Sequence, residues 1–175
     1  MTPALRAAGT ERVKLDAVDA DDFYDEDFFR TLSASGARGL LIGRRALVAL
    51  GAPVMTTDYD LWLHIDDIAK LNDAFAKIDH HPSCTPEVAR TRGRYVLENS
   101  QHIDVMVARA KSDASGAALS FDAAWATRQT IEIAPSVPAY LPSIPHLIIT
   151  KRWASRPRDL VDIEWLTLLS QRSPS

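Results

Sequence analysis

The 175-residue chain has a single cysteine, Cys84, so no disulfide can form within it, and the usage fits a reducing cytoplasm. It also lacks any run near the roughly eighteen apolar residues of a membrane span, and residues 1–6 lack the apolar core of a signal peptide. The expectation is a cytoplasmic protein with no membrane partner. A basic excess is missing too. A net charge of −3 and a pI near 5.9 argue against holding nucleic acid by bulk electrostatics, and leave room only for a local basic patch. No internal repeat or low-complexity tract appears. His80, His81 and Cys84 are zinc-capable but have no second pair at ligand spacing, so this stretch reads as a loop.

What is present is the composition of a globular protein, 46% hydrophobic and 25% charged, of a length suited to one domain. Residues 1–20 carry no periodicity and read as an N-terminal surface segment; residues 21–172 read as the domain. Asp21 and Asp22 can cap a helix whose apolar face is Phe23, Phe28, Phe29 and Leu32, ending at Ser35-Gly36. Residues 39–43 predict a fully buried strand leaving into a tight turn. Residues 44–50 predict a helix stopped by Gly51 and Pro53. A strand over 58–65 follows, then a helix over 68–78, capped by Asp66, with Ile68, Leu71, Phe75 and Ile78 on one side. Residues 94–98 and 102–108 form a hairpin. Residues 111–120 read as loop, 121–128 as a short helix and 130–141 as an edge hairpin where Pro135 and Pro138 are tolerated. Two amphipathic helices, 144–155 and 157–169, close the chain, the second with Pro157 in its first turn. Trp153 and Trp165 fall in this pair as core residues.

The chemistry concentrates in Thr57-Asp58-Tyr59-Asp60-Leu61-Trp62-Leu63. Residues i and i+2 of a strand share a face, so Asp58 and Asp60 converge, with apolar residues running into a core behind them. Two adjacent anions repel and call for a cation. Magnesium fits, since it takes hard oxygen ligands and keeps positions open for substrate phosphates. In His102-Ile103-Asp104-Val105-Met106-Val107, Ile103, Val105 and Val107 take one face and Asp104 the other. Asp104 joins the cluster if its strand neighbours theirs.

The glycine turn of Leu40-Leu41-Ile42-Gly43-Arg44, a helix, and then Asp-x-Asp on a strand resemble the nucleotidyltransferase fold of the DNA polymerase β superfamily. The wording Thr57-Asp58-Tyr59-Asp60-Leu61 is most similar to small bacterial members of the abortive-infection and toxin type. The strand of Asp104 resembles the family's third-carboxylate strand. Residues 142–154 and 158–163 resemble its closing helix pair. The resemblance spans about residues 26–170 and implies an α/β (α+β) fold, a short mixed sheet flanked by helices with a C-terminal helix pair. It implies magnesium-dependent transfer of a nucleoside monophosphate from a nucleoside triphosphate to a hydroxyl of an RNA, a protein or a small molecule. Asp58, Asp60 and Asp104 would be the catalytic metal ligands, and Asp104 would receive the acceptor proton. Gly43 would expose backbone amides to phosphate, and Lys151 would touch it. A toxin–antitoxin setting, with a cognate antitoxin as partner, follows from the same resemblance.

One position departs from the pattern: Arg44 stands where the family has a second small residue. Its guanidinium either binds the β- and γ-phosphates in a bidentate way or pairs with the aspartates of a site that has lost its metal. Lys151, Arg152, Arg156 and Arg158 otherwise read as a solvated face, with Asp159 and Asp162 their simplest partners. The alternative function is a non-catalytic nucleotide- or partner-binding module. A third is a resistance enzyme of the aminoglycoside-modifying kind, for which the chain is short of a dedicated acceptor domain.

Overall fold

Gly39-Leu40-Leu41-Ile42 is apolar on both faces, which predicts a strand covered on both, and strand β1 (Gly39–Ile42) is buried at every position. The computed structural model describes residues 20–99, 102–109, 111–112, 116, 118–154 and 156–172. Nearly all of the expected N-terminal segment lies outside the described residues. Helix α1 (Ala20–Ser35) begins at Ala20, so Asp21 and Asp22 stand within its first turn and not ahead of it. After β1 come α2 (Gly43–Ala49), β2 (Tyr59–Leu63), α3 (Ile68–Ala76), β3 (His81–Pro82), α4 (Pro86–Arg92), β4 (Arg94–Glu98) and β5 (His102–Val107).

These strands form one mixed sheet in the order β1-β2-β5-β4-β3. β2 runs antiparallel to β1 and parallel to β5, whereas β4 is antiparallel to both β5 and β3. His81-Pro82, expected in a loop, is an edge strand where proline is tolerated. The 111–120 stretch likewise holds a two-stranded ladder, β6 (Lys111–Ser112) with β7 (Ala118–Leu119). α5 (Phe121–Ala126) precedes the expected hairpin, β8 (Gln129–Ala134) and β9 (Val137–Leu141), which is a separate sheet. β9 packs on β1 and α1, and so covers an edge that would otherwise invite pairing with another chain. α6 (Ile144–Ala154) and α7 (Pro157–Arg172) are the closing pair.

The two sheet faces differ. One carries Leu41, Tyr59, Leu61, Ile103, Val105 and Leu97 into the main core, against Phe28, Phe29 and Leu32 of α1 and Leu71 and Phe75 of α3. Phe28 packs 4.3 Å from the Tyr59 ring and 5.5 Å from Phe75. On the opposite face Leu40, Ile42 and Trp62 form a smaller core with Phe121 and Ala124. Trp62 is held edge-on between Phe121 and Trp153, each 5.2 Å away. This second layer covers β1 and β2 but leaves Arg94 and Val96 of β4 and Asp104 and Met106 of β5 facing a cleft.

Asp67 ties the start of α3 to the residue ahead of β1. A 3-10 turn (Ile65–Asp67), capped by the His64 side chain accepting from the Asp66 amide, precedes α3, whose N-cap residue is Asp67 without a side-chain cap bond and not Asp66 as the sequence suggests. Asp67 is 1% exposed and accepts from Arg38 Nε at 2.7 Å, the Arg38 amide at 3.0 Å and Lys70 Nζ at 2.8 Å. Burial alone would raise its pKa, but the Arg38 and Lys70 bonds outweigh it and hold the carboxyl well below the usual range. Stability from Asp67 is therefore complete above pH 3.8, the ordinary carboxyl value, and is lost as pH falls toward the depressed native value. Asp67→Asn should cost about 1.5–3 kcal/mol at neutral pH, the range for hydrogen bonds to charged groups. Urea unfolding at several pH values should show the gap from the parent closing below about pH 4.

Candidate active site

Gly43 is the hinge on which the site is built. Its φ is +68°, a left-handed conformation that glycine tolerates and branched residues do not. A Cβ there would overlap Oδ2 of Asp60, which pairs with Ile42 across β1 and β2. The missing side chain lets the carboxylate rest against the turn, in the space where the sequence suggests backbone approaching phosphate.

Asp60 stands opposite Asp104 in the parallel β2–β5 register, and both face the cleft side of the sheet. Asp58 lies just before β2, which begins at Tyr59 and not at residue 58 as the sequence suggests. Burial first, then the charges of Asp104 and Asp58, raise the pKa of Asp60; Lys151 and Arg156 oppose the rise. Asp60 is thus the electrostatic centre of the group. Among the described residues, no three His, Cys, Asp or Glu side chains are gathered so as to hold a metal ion by themselves.

The cations facing these carboxylates are fixed by α7. Lys151 is 5% exposed, with Nζ 2.7 Å from Asp162 Oδ2 and 3.6 Å from Asp159 Oδ1. Arg44 reaches the same Asp162 through Nε and Nη2, each at 3.4 Å, and no hydrogen bond or ion pair joins it to Asp58 or Asp60 among the described residues. Arg156 gives Nε and its amide to Asp159 Oδ2, both at 3.0 Å. Burial works against the Asp159 charge, yet the Arg156 bonds lower its pKa. The pairing of Lys151 and Arg156 with Asp159 and Asp162 follows the simpler sequence reading; the link from Arg44 to Asp162 was not visible there.

Two clefts meet at this point. A narrow one of about 170 Å3 is bordered by Gly43, Arg44, Thr57, Asp58, Lys151 and Arg158. A wide one of about 700 Å3 runs over the uncovered sheet face past Asp104. Asp60 and Arg156 border both. Sequence reasoning missed Arg92, Arg94 and Arg109, which line the wide cleft.

No protein-family model and no curated protein matches the chain. Solved structures do. TM1012 of Thermotoga maritima, provisionally assigned as a nucleotidyltransferase, superposes with a TM-score of 0.54 at 12% identity, covering 86% of this chain and 92% of that one. The antibiotic-resistance factor ANT(2'')-Ia superposes with a TM-score of 0.56 at 13% identity, covering 86% and 85%. The chain has the nucleotidyltransferase fold. The expected mixed sheet, flanking helices and closing helix pair are those of this fold. No helix among the described residues is long and apolar enough to cross a membrane.

Gly43→Ala should disturb the site doubly, through a left-handed backbone costing about 1–2 kcal/mol and through contact with Asp60. Combined with Asp60→Ala, it should cost less than the two changes summed, because the carboxylate it strikes is gone. Thermal melts of the four proteins check this.

Asp60→Asn keeps the shape and removes the charge. Since the native carboxyl titrates above its ordinary value of 3.8, the native state holds more protons than the unfolded one just above that pH, and stability falls as pH rises. Without metal, the Asn protein should melt at or above the parent temperature at pH 7, with the difference vanishing below about pH 4. A clear fall at pH 7 would show that Asp60 is held by a structural partner.

Proposed function

We propose that the protein transfers a nucleoside monophosphate from a nucleoside triphosphate to an acceptor hydroxyl on an RNA, a protein or a small molecule. The observation that carries this reading is the position of Asp60 on the boundary of two clefts, one rich in phosphate-binding groups and one open to a second substrate. Transfer needs donor and acceptor on opposite sides of one phosphorus. In this reading the triphosphate enters the narrow cleft, where Arg44, Lys151 and Arg158 meet its charge. Asp162 holds Arg44 and Lys151 toward the same place, so little side-chain freedom is lost on binding. Gly43 keeps the turn free of a side chain where the carboxylate and the phosphates crowd together.

The fold implies magnesium, and the donor set suits it. Asp60 and Asp104 are adjacent hard-oxygen donors, Asp58 is near enough to act on Asp60, and the mutual repulsion is the signature of a group that a divalent ion would relieve. Magnesium is usually bound through one or two carboxylates, with substrate phosphates and waters completing the shell. When bound, the ion supplies charge neutralisation at the transferring phosphoryl group and the leaving pyrophosphate. Asp104, on the acceptor side, takes the proton of the attacking hydroxyl. The new bond joins that oxygen to the α-phosphorus, and the bond to the departing pyrophosphate breaks.

The sequence resemblance to toxin-type members supports a setting in which a cognate antitoxin restrains the activity. The likeness to an antibiotic-resistance factor supports a small-molecule acceptor instead. A binding module without catalysis is favoured by one observation: Arg44 and Lys151 are already bonded to carboxylates of their own chain. Labelled nucleoside triphosphates incubated with magnesium, total RNA and cell protein identify the acceptor by the fraction that becomes labelled. Calorimetric titration with a non-hydrolysable triphosphate and magnesium separates enzyme from module. Arg44→Ala should weaken binding by about 1.5–3 kcal/mol, the range for a charge-assisted contact. Tighter binding in the variant would mean that Arg44 blocks the site and would favour the module.

A further inference from the structure

The wide cleft carries a cluster of arginines of its own, apart from the cations of the narrow cleft. The protein is acidic, with a net charge of −3, yet Arg92, Arg94, Arg109 and Arg156 all line this one cleft. Arg156 is engaged by Asp159. Among the described residues, no carboxylate lies within ion-pair distance of Arg92, Arg94 or Arg109.

Their arrangement is built by the fold. Arg92 ends α4, Gly93 turns the chain with φ +75°, and Arg94 opens β4. Arg94 pairs with Met106 and Val96 with Asp104, so Arg94 and Val96 share the open sheet face with Asp104 and Met106. Arg109 is held in place: its Nη1 donates to the Thr91 carbonyl at 2.8 Å, and its Cδ would lie 2.8 Å from any Cβ at Gly93. This glycine does for Arg109 what Gly43 does for Asp60. The cleft thus offers three guanidiniums that no carboxylate of the described residues neutralises, around a floor of Val96 and Met106, with the Asp60/Asp104 pair at one side.

We propose that this cleft receives the 3′ end of a single-stranded nucleic acid, with its terminal hydroxyl at Asp104 and its backbone phosphates on Arg92, Arg94 and Arg109. The assignment rests on the nucleotidyl-transfer reading and names its acceptor. Guanidiniums suit phosphate through bidentate bonds and suit bases through stacking, and the Val96–Met106 floor offers a base an apolar surface. The open strip is only the β5 and β4 part of one sheet face, which fits a strand end and not a duplex. A polycationic small molecule would meet repulsion here. An acidic peptide would satisfy the charges but leave the apolar floor unused.

The test uses the full chain and a fluorescent single-stranded oligonucleotide with a free 3′-hydroxyl, in ribose and deoxyribose forms, followed by anisotropy over a range of salt. Binding should weaken with salt, and Arg92→Gln with Arg94→Gln should weaken it about tenfold and reduce the log–log salt slope by about 1 per arginine. Both variants should keep the parent melting temperature, and their affinity for a non-hydrolysable triphosphate with magnesium should be unchanged. The two sugars decide between RNA and DNA. If the triphosphate binds but neither oligonucleotide does, or if polyglutamate of equal charge binds more tightly, the proposal is overturned and the transfer reading stands. If an oligonucleotide binds but the triphosphate does not, the cleft has no acceptor role, and both readings fall.

Discussion

Two carboxylates held side by side on parallel strands repel each other, and much of the structure around them serves to keep them there. Asp60 and Asp104 are opposite in the β2–β5 register, so neither can move away without breaking the ladder. Behind Asp60, Tyr59 and Leu61 are locked in the main core and Trp62 in the second. In front, the turn at Gly43 leaves no Cβ to push the side chain outward. Burial first, and then the charges of Asp104 and Asp58, raise the pKa of Asp60. Such crowding persists only because the surrounding packing enforces it.

The counter-charge comes from the far end of the chain. Asp162 and Asp159, both nearly fully buried on α7, bind Lys151, Arg44 and Arg156. A buried ion network adds little net stability, because desolvation offsets attraction. Its value here is positional: one carboxylate, Asp162, aligns a lysine from α6 and an arginine from α2 along the same narrow cleft. Asp159 Oδ1 is fully buried with no hydrogen-bond partner among the described residues, and faces only Lys151 at 3.6 Å. The network is therefore looser on that side, where Arg156 passes toward the wide cleft.

The sheet supplies the division of labour. One face is filled by α1 and α3 and carries the stability of the domain. The other is covered only over β1 and β2, by α5 and α6, and stays open over β5 and β4. The boundary of that cover falls at Asp60. A carboxylate at the edge of a packed layer is half-buried, near enough to apolar surroundings for its charge to act strongly and near enough to solvent to be reached by a ligand.

Strand alternation by itself placed Asp104 opposite Ile103, Val105 and Val107, and marked the strand of Asp58-Tyr59-Asp60 as a pair of acids running into a core. Those are properties of a two-residue period and of short-range sequence, so they were legible without coordinates. The glycine turn, the hairpin and the closing helices were legible for the same reason. The pairing of β2 with β5 was not, because parallel neighbours are joined by a crossover whose register no local pattern records. Nor was the bond between Arg44 and Asp162, 118 residues apart. That α3 starts after Asp67 without a side-chain cap went unseen because Asp67 is committed to Arg38, a contact 29 residues distant. Arg92, Arg94 and Arg109 went unremarked in the sequence, since only the α4–β4 turn and the β4–β5 register bring them to one cleft. Sequence alone determined which face of its strand each acid takes, because local periodicity sets which way each side chain points. Tertiary structure alone decided which of them meet, because burial and strand pairing join residues that the chain keeps far apart.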